Sequence, residues 1–501
     1  MCGVVGVIQV PSLSSLCERK LSASFIAYQA LLMLQHRGQD GAGIVSYDQT
    51  TGRFFDQKKL GLIAQVFERE DLERLKGDMA LAHTRYATVG GDGMRDLQPM
   101  LAGVPFGVAL AHNGNLANFF ELAEEVQIKY KIKFLTHNDA EVLLQLFCYF
   151  MGRSQIPGSN GANGNFNFEL AVSAMKKVVQ HANGSYSVVG MVADGGLFAL
   201  RDPHGIRPLL LGRKIEGEKT TYLFASESSS IQFMGMEVVK NLAPGEFMLV
   251  TPDGQILSAD VGGKEAAHCM FEWVYFAGAE SVLDGQCVYS ARLELGRRLA
   301  KKITRTNFDV VMPVPDTGRT AAGSLAECLN IPYREGLLKN RYVQRSFILN
   351  GQSKRELAVS LKLIPIVSEI RGKRILLVDD SIVRGTTSKK IVNLLKMHGA
   401  ESVCLALTCP PIKHPCFYGI DFPVQNELLM ANLNEQEAAH WIGADEVFFT
   451  DVSDIDGAVN SPRLCKGCLT GKYPTDLNKC RSFAMERGKV RATMEKAEKN
   501  V

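Results

Sequence analysis

The chain has 501 residues, of which 46% are hydrophobic and 22% are charged, as is usual for a globular protein. The 56 basic and 53 acidic residues leave a net charge of +3, which argues against a nucleic-acid coat or a polybasic membrane surface. Twelve cysteines are too few for a disulfide scaffold and favour free thiols, catalysis or metal binding in a reducing cytoplasm. The sequence has no apolar run of the roughly 20 residues that a membrane span needs.

The first half of the chain predicts an α+β fold with largely antiparallel sheets, because many short strands stand near turn signals. An apolar strand lies at the N-terminus, and helices are expected over 22–35, 116–130 and 139–151. The Gly/Asn/Ser-rich stretch 154–165 predicts a surface loop. Further strands are expected at 79–83, 105–111, 186–192, 196–200, 208–211, 221–225 and 247–250.

The pattern changes after about residue 265 to alternating strands and helices. Strands at 309–313 and 374–378 are each followed by a loop and a helical stretch, the second of which covers 388–398. This alternation predicts βαβ units and a parallel sheet. The chain is therefore expected to consist of a first domain, a second domain with a C-terminal appendage and a charged tail, with bounds at 2–262, 263–480 and 481–501.

Cys2 is a candidate nucleophile. Removal of Met1 would leave a thiol and a free α-amine on one residue. The α-amine has a reference pKa of about 7.7–8.0, which suits a general base near neutral pH. A thiol beside its own base is a ready nucleophile. Cysteine at position two carries little weight alone, so the interpretation depends on the motifs that follow.

Three further motifs of the first half carry groups that suit amide chemistry. HTRYAT supplies Arg85, whose guanidinium can hold a carboxylate in two bonds. HNGN offers the Asn113 amide and the Gly114 backbone N–H as an oxyanion pair, or alternatively forms a hairpin turn. HNDAE places Asp139 at the start of a helix, where an N-cap is the simpler interpretation. For each motif taken alone, a structural role is favoured over a catalytic one. The presence of all three motifs together with Cys2 favours a catalytic site.

These motifs resemble those of the N-terminal-nucleophile glutamine amidotransferases. MCGVVGV, LQHRGQDGAGI, HTRYAT, AHNGNLAN and HNDAE occur here in the family's order. The resemblance implies an αββα sandwich in which Cys2 attacks the glutamine amide and releases ammonia. It also assigns Arg85 to the α-carboxylate of glutamine, Asp139 to its α-amino group, and Asn113 with Gly114 to the oxyanion.

The stretch ILLVDDSIVRGTTS, residues 375–388, predicts a phosphate site in the second half. A buried strand ends in Asp379 and Asp380, and a loop rich in Ser, Gly and Thr then opens a helix. The N–H groups and hydroxyls of such a loop, with the helix dipole, suit a phosphate monoester. The two acids can bind ribose hydroxyls or a metal. A capped loop without a ligand is the alternative, which the strand–acid–loop–helix order disfavours.

This stretch resembles the signature of the type I phosphoribosyltransferases, which bind 5-phosphoribosyl-1-pyrophosphate (PRPP). The resemblance implies an α/β domain with a parallel sheet and one Mg²⁺ per subunit, held with the ribose by Asp379 and Asp380. PVPDTGRT resembles the pyrophosphate loop and places Thr317 near the metal. The other residues that the resemblance assigns to PRPP are Ser381, Arg384, Gly385, Thr386 and Thr387, with Lys339, Arg341 and Arg345 of a flexible loop neutralising the leaving pyrophosphate.

The two halves in this order resemble the glutamine phosphoribosylpyrophosphate amidotransferases over nearly the whole chain. The implied reaction is displacement of pyrophosphate from C1 by ammonia, which gives 5-phosphoribosylamine in the first step of de novo purine biosynthesis. The family further implies an internal ammonia path, a homotetramer and purine nucleotide inhibitors. From the balanced charge and the lack of an apolar span, no nucleic acid or membrane partner is expected. Gln344 stands where the family has glycine, and FAGAES at 276–281 differs from the expected FARPDS.

Four cysteines are candidates for a metal site. CKGC places Cys465 and Cys468 at chelating spacing, and Cys269 and Cys416 are further candidates. Four thiolates suit Zn²⁺ or an iron–sulfur cluster about equally, and a reduced CxxC with two buried cysteines is the alternative. The contexts HPCFYGID and CxxCxTGKYP resemble one branch of the family, which implies a [4Fe–4S] cluster on these four residues. The reaction transfers no electrons, so the cluster is expected to be structural.

Two other functions are compatible with parts of the sequence. A non-catalytic regulator that senses PRPP and binds nucleic acid would show a basic surface and a damaged Cys2 or oxyanion set, and neither is present. A glutaminase that feeds another acceptor, such as a sugar phosphate, would not need the DDSIVRGTTS loop. The two-site enzyme is therefore favoured.

Overall fold

The computed structural model describes residues 1–10, 22–86, 93–153, 166–340, 363–422, 424–461, 463–478 and 480. The loop predicted at 154–165 and the tail predicted at 481–501 lie outside these residues. None of the described helices is long and apolar enough to cross a membrane.

The first half of the chain contains two antiparallel sheets. Its strands are β1 (Gly3–Val10), β2 (Gly41–Asp48), β3 (Arg53–Leu60), β4 (Met79–Arg85), β5 (Met100–Ala102), β6 (Val108–Leu116), β7 (Gly184–Val192), β8 (Gly196–Arg201), β9 (Leu210–Glu216), β10 (Lys219–Ala225), β11 (Glu237–Asn241), β12 (Glu246–Val250) and β13 (Ile256–Asp260). Its helices are α1 (Ala23–Leu32), α2 (Ile63–Val66), α3 (Arg69–Arg74), α4 (Phe119–Lys129), α5 (Asp139–Arg153), α6 (Phe168–His181) and α7 (Ser228–Phe233), with 3₁₀ turns at Gln35–Arg37 and Met94–Asp96.

The two sheets pack face to face between layers of helices. Within the described residues, one sheet has the order β11-β9-β10-β1-β4-β2-β3 and the other β13-β12-β8-β7-β6-β5. Successive side chains of a strand point to opposite faces. In β1, Val5 and Val7 therefore pack towards α1, whereas Val4 and Ile8 pack against the second sheet. Helices α5 and α6 cover the outer face of that second sheet. This arrangement is the αββα sandwich expected from the sequence.

The second half is built around a parallel sheet. Its strands are β14 (His268–Cys269), β15 (Val282–Leu283), β16 (Gln286–Cys287), β17 (Val310–Pro313), β18 (Leu337–Lys339), β19 (Leu363–Pro365), β20 (Arg374–Asp379), β21 (Ser402–Leu407), β22 (Glu446–Phe449) and β23 (Leu464–Cys465). Its helices are α8 (Val288–Ala300), α9 (Arg319–Leu329), α10 (Val367–Ile370), α11 (Thr386–Met397), α12 (Leu429–Asn432), α13 (Glu435–Ile442), α14 (Val452–Val459) and α15 (Gly467–Thr470), with a π-helical turn at Glu272–Phe276 and a 3₁₀ turn at Gln425–Glu427.

The order of the parallel strands is β17-β20-β21-β22. In β20, Ile375 and Leu377 pack on the side of α11 and α13, and Leu376 and Val378 pack on the other side with residues of α8 and α9. A strand buried on both faces needs a continuous apolar run, which explains the sequence RILLV. The predicted α/β second half is confirmed, and its sheet carries the DDSIVRGTTS loop at the carboxyl end of β20.

The segment between β13 and α8 is hydrogen-bonded to both halves of the chain. The Cys269 N–H donates to the Ile206 carbonyl at 3.0 Å, while β14 pairs in parallel with β23 near the C-terminus. Residues 417 and 418 of the second half also contact the first half directly. Asn115 Nδ2 donates to the Phe417 carbonyl at 3.0 Å and Ser185 Oγ donates to the Tyr418 carbonyl at 2.9 Å. The two halves therefore share polar contacts at their junction.

Candidate active sites

Cys2 immediately precedes β1 and is held at both its thiol and its backbone. The Sγ atom lies 3.4 Å from the Tyr86 N–H nitrogen and 3.6 Å from the Tyr86 carbonyl oxygen. The Arg37 Nε–H donates to the Cys2 carbonyl at 3.0 Å. Arg37 reaches this position because the chain breaks from α1 into the 3₁₀ turn Gln35–Arg37.

Met1 is present in the structure and is buried, with 2% of its surface exposed. Burial lowers the pKa of its α-amine to about 5. The N-terminus therefore lies in a part of the protein interior that favours a neutral amine.

The HNGN motif does not form a turn, because Asn113 and Gly114 both lie inside β6 and pair with β7. Both polar atoms of the Asn113 side chain are buried and have no hydrogen-bond partner among the described residues. Gly114 has φ +149°, and a Cβ atom there would stand 2.0 Å from the Ser185 carbonyl oxygen. Buried amides without partners are uncommon in proteins, and an oxyanion would accept the hydrogen bond that Nδ2 can donate.

Asp139 is the first residue of α5, and its carboxylate binds β6. It accepts hydrogen bonds from His112 Nε2 at 2.9 Å and from the Leu116 N–H at 3.0 Å. Burial acts to raise the pKa of Asp139, but the His112 imidazole, the Leu116 N–H and the Arg85 guanidinium together lower it. Arg85 is itself anchored by a hydrogen bond to the Asp96 carbonyl. The predicted glutamine-binding pair is thus one buried arginine and one ionised carboxylate in electrostatic contact.

Two histidines belong to this region although sequence reasoning did not single them out. His112 holds Asp139, and burial together with the charges of Arg85 and His112 places the pKa of the His83 imidazole well below its usual value. The available sequence signal was that His112 directly precedes Asn113 and that His83 is the first residue of HTRYAT.

The second site lies at the end of β20. Asp380 accepts hydrogen bonds from Thr317 Oγ1 and from Ser381 Oγ, both at 2.6 Å. Burial and repulsion by Asp380 raise the pKa of Asp379 well above its usual value, and burial also raises the pKa of Asp380. A divalent cation would offset this desolvation and repulsion, so the two carboxylates and the Thr317 hydroxyl fit a Mg²⁺ ion by charge and by donor type.

The loop after these acids enters α11 through Gly385, which has φ +75°. Two cations that the family resemblance assigns to PRPP are paired with carboxylates. Arg384 contacts Glu427 at 2.8 Å, and Lys339 Nζ lies 2.9 Å from Asp316. The structure brings Thr317 and 379–387 together, whereas Arg341, Gln344 and Arg345 lie outside the described residues.

One cavity of about 380 Å³ is lined by residues from both halves. The second half contributes the loop 379–388 with Phe271, Tyr275 and Phe276. The first half contributes His36, Arg37, Gln39 and Tyr86. Since the backbone of Tyr86 also contacts Cys2 Sγ, the cavity extends from the predicted sugar-phosphate loop to the immediate neighbour of the predicted nucleophile.

A buried ion network lies beside this cavity. Arg37 contacts Glu227 and forms two hydrogen bonds with Glu272, at 2.9 and 3.0 Å. Arg207 shares the Glu272 carboxylate at 3.1 Å. Arg37 lies in the motif LQHRGQDGAGI and Arg207 in RDPHGIRPL, but neither arginine was assigned a role from the sequence, and the two glutamates carried no recognisable signal.

The segment FAGAES at 276–281, which differs from the FARPDS expected for the family, contacts the same ion network. Glu227 Oε2 accepts hydrogen bonds from the Gly278 N–H at 2.9 Å and from Ser281 Oγ at 2.8 Å. This segment therefore joins a wall of the second site to the arginine that holds Cys2.

The four candidate cysteines lie in one buried region. Cys269 stands opposite Cys465 in the β14–β23 pair, and all four belong to or pack against one apolar core. Burial raises the pKa of Cys269 to about 11, and burial with repulsion by Cys416 raises the pKa of Cys468 well above its usual value. The donor set fits a thiolate-bound centre by chemistry. In the part of the chain that the structure describes, no group of three or more His, Cys, Asp or Glu side chains is arranged to hold a metal ion.

Comparison with known proteins agrees with this organisation. A model of the glutamine amidotransferase domain matches residues 83–232, and a model of the phosphoribosyl transferase domain matches residues 288–416. Amidophosphoribosyltransferases from Pasteurella multocida and Methanocaldococcus jannaschii are each 40% identical to the chain. They align with 92% and 95% of this chain and with 89% and 98% of their own lengths. The chain belongs to the amidophosphoribosyltransferase family.

Solved structures give the same result. The glutamine PRPP amidotransferase from B. subtilis, complexed with ADP and GMP, has a TM-score of 0.81 and 35% identity over 95% of this chain and 98% of its own. As an amidophosphoribosyltransferase, the chain is a glutamine-dependent pentosyltransferase that aminates PRPP in purine biosynthesis. This identity excludes the alternative of a glutaminase that serves a different acceptor.

Proposed function

We propose that Cys2 is the nucleophile of the glutaminase reaction. Its thiolate attacks the amide carbon of glutamine, ammonia leaves, and water hydrolyses the thioester to give glutamate. Asn113 Nδ2 and the Gly114 N–H stabilise the oxyanion. Removal of Met1 frees the α-amine of Cys2, which takes the thiol proton and later delivers it to the leaving ammonia.

Arg85 and Asp139 hold the substrate in this proposal. The Arg85 guanidinium pairs with the α-carboxylate of glutamine, and the Asp139 carboxylate accepts hydrogen bonds from the α-amino group. The lowered pKa of Asp139 supports this role, because an ionised carboxylate is the species that binds an ammonium group.

At the second site, Asp379 and Asp380 bind the ribose hydroxyls of PRPP and the 381–387 loop binds its 5′-phosphate. Lys339, Arg341 and Arg345 neutralise the leaving pyrophosphate. Mg²⁺, when bound by the two acids and Thr317, would neutralise charge on the substrate. The raised pKa values of the two acids support this role, since a bound cation would offset the burial and repulsion that disfavour their charged forms.

The observation that carries the two-site assignment is the shared cavity. It is lined by Tyr86, which contacts Cys2, and by the loop 379–388. Ammonia would protonate in bulk water near neutral pH, so its transfer through this cavity preserves the nucleophile.

The experiment compares pyrophosphate release with glutamine and with ammonium as nitrogen donors. Cys2→Ala should abolish the reaction with glutamine and keep the reaction with ammonium, whereas Cys328→Ala, at an exposed cysteine, should keep both. A Cys2→Ala enzyme that uses glutamine at the normal rate would refute the assignment. Mass spectrometry of the N-terminus reports whether Met1 is removed.

We also propose a structural [4Fe–4S] cluster on Cys269, Cys416, Cys465 and Cys468. It is supported by three buried thiols and one partly buried thiol, that of Cys465, from three distant segments of the chain. Metal binding that joins such segments contributes to folding. Anaerobically purified protein should contain iron and sulfide and absorb in the visible range, and Cys465→Ser should lose both and become insoluble or unstable. Zinc in place of iron would contradict the cluster, and a stable metal-free protein would contradict any metal at all.

We further propose that the enzyme is a homotetramer, that it is located in the cytoplasm and that purine nucleotides inhibit it. The B. subtilis relative solved with ADP and GMP supports the regulatory part. Sedimentation analysis and titration of pyrophosphate release with ADP and GMP test it, and a monomer insensitive to both nucleotides would contradict it.

A further inference from the structure

The 3₁₀ turn Gln35–Arg37 sends two neighbouring side chains to the two active sites. Arg37 is completely buried and holds the Cys2 carbonyl. The His36 side chain is 35% exposed and lines the cavity that contains the loop 379–388. The turn is fixed in place, because the Gly38 carbonyl accepts hydrogen bonds from its own Gln35 and from Thr84 Oγ1 of β4, at 2.6 and 2.9 Å.

His36 forms a histidine–carboxylate pair. Its Nε2 lies 2.8 Å from Glu227 Oε1, and the Glu227 side chain is completely buried. Burial acts to raise the pKa of Glu227, but His36 and Arg37 together lower it. An ionised carboxylate only accepts hydrogen bonds, so Nε2 is the nitrogen that donates to Glu227 and Nδ1 is the ring nitrogen left for a second partner. No described residue forms a hydrogen bond with Nδ1, and the side chain is accessible from the cavity.

The amination of PRPP creates a proton that has to leave the nitrogen newly bonded to C1. When ammonia attacks, an N–C1 bond forms, the C1–O bond breaks, and its electron pair leaves with pyrophosphate. The nitrogen is then an ammonium group, which becomes the neutral amine of the product only after losing one proton. The other ionisable groups lining the cavity are Asp379, Asp380 and Asp421, Tyr86 and Tyr275, and the cations Arg37 and Arg384. Among side chains, imidazole is the most common general base in enzymes, and His36 supplies the imidazole in this cavity.

We propose that His36 is a catalytic residue of the amination step, in which its Nδ1 accepts the proton from the nitrogen that attacks C1. Glu227 is a positioning residue, which fixes the tautomer and the ring orientation. The inference rests on the amination reaction of the family and adds a base to the cavity that the two halves share.

The test uses the full-length enzyme with saturating PRPP, Mg²⁺ and ammonium chloride, so that glutamine hydrolysis does not contribute. His36→Gln keeps an N–H for Glu227 but has no basic nitrogen, and His36→Ala removes the ring. Both should release pyrophosphate about 100-fold more slowly than the wild type, with unchanged PRPP affinity in an equilibrium titration. Added imidazole should restore part of the rate of His36→Ala and none of the rate of His36→Gln. His440→Gln, at an exposed histidine of α13, should behave as the wild type.

A normal ammonium-dependent rate in His36→Gln would overturn the proposal. So would a slow His36→Ala enzyme that imidazole does not restore, or a loss of PRPP affinity that accounts for the slower rate, because either result indicates a structural role. These outcomes differ from failure of the proposed function, in which the wild type itself would release no pyrophosphate with ammonium.

Discussion

At the scale of single residues, Asp379 and Asp380 are unusual because both carboxyls lie in surroundings that disfavour a negative charge. Their carboxyls stand at the end of a strand that is apolar on both faces, and burial raises the pKa of each. Sequence reasoning located the two acids from the order strand, acids, loop and helix. It could not predict that the Thr317 and Ser381 hydroxyls would both hydrogen-bond to Asp380, because side-chain partners depend on the packed loop.

Asp380→Asn should slow pyrophosphate release at least about 100-fold with either nitrogen donor, because it removes a charge from the proposed metal and ribose site. PRPP affinity should fall in an equilibrium titration. Labelling of Cys2 by a reactive glutamine analogue should persist. Asp253→Asn, in an exposed turn, is the matched control and should leave all three measurements unchanged. Unchanged PRPP affinity in Asp380→Asn would remove this residue from the site.

Gly114→Ala should destabilise the protein by about 1–3 kcal/mol, because φ +149° is unfavourable for alanine and its Cβ would clash with the Ser185 carbonyl. Gly152→Ala lies in α5 with nothing within 4 Å of the added Cβ, so it should be neutral or stabilising by up to about 1 kcal/mol. Urea denaturation of both variants measures the difference. Equal midpoints would mean that β6 relaxes around the added methyl group.

At the scale of elements, local signals predicted the helices better than the ends of the strands. The sequence predicts a strand over 105–111 and admits a hairpin turn at HNGN, whereas β6 continues to Leu116. Pairing of Asn113 with Ser187 in β7 overrides the local turn tendency. Tertiary contacts of this kind cannot be inferred from neighbouring residues alone.

The π-helical turn Glu272–Phe276 could also not be predicted from the local sequence pattern. Arg292 of α8 donates hydrogen bonds to the carbonyls of Trp273, Tyr275 and Ala277, at 2.9, 3.0 and 2.8 Å. A side chain from a later helix therefore satisfies the carbonyls of this turn. Since π-helical turns often accompany functional sites, its place in the cavity wall agrees with the site assignment.

The start of β20 is fixed by an ion pair whose strength depends on pH. Asp309 accepts hydrogen bonds from the Arg374 backbone and side chain, and these bonds lower its pKa to about 2. A lowered pKa stabilises the fold above the unfolded value near 4, and the contribution is lost as the pH falls towards 2. Asp309→Asn should lose about 1 kcal/mol at pH 7, a value reduced for the partial exposure of the pair. Denaturation at pH 7 and pH 3 should show the difference shrinking, and a difference that grows at pH 3 would contradict this sign.

At the scale of the whole molecule, the two halves were predictable separately, but their junction was not. The βαβ alternation and the two loop motifs are local patterns. The network of Arg37, Glu227, Glu272 and Arg207 joins residues up to 235 positions apart. No periodicity links such residues, so the junction emerges only from the packed structure.

Arg207→Met should destabilise the protein by about 3–5 kcal/mol, because it leaves part of the buried Glu272 charge and the Tyr418 carbonyl without their partner. Arg213→Met removes the half-exposed pair with Glu237 and should cost less than about 1 kcal/mol. Thermal unfolding of both variants tests the contrast. Similar losses in the two variants would show that the buried network contributes no more than a surface pair.

The segment 263–287 changes how this protein can be recombined with its relatives. It follows the proposed boundary at residue 262, yet Gly278 and Ser281 hydrogen-bond to Glu227 of the first half. A chimaera joined at residue 262 would place one parent's glutamate against the other parent's loop. A crossover at the start of α8 keeps these contacts within one parent. The same crossover would separate β14 from β23, and the Arg292 side chain from the carbonyls of the π-helical turn. The segment 263–287 therefore belongs to both halves, and an exchange between relatives is expected to succeed only if its contacts on both sides come from one parent.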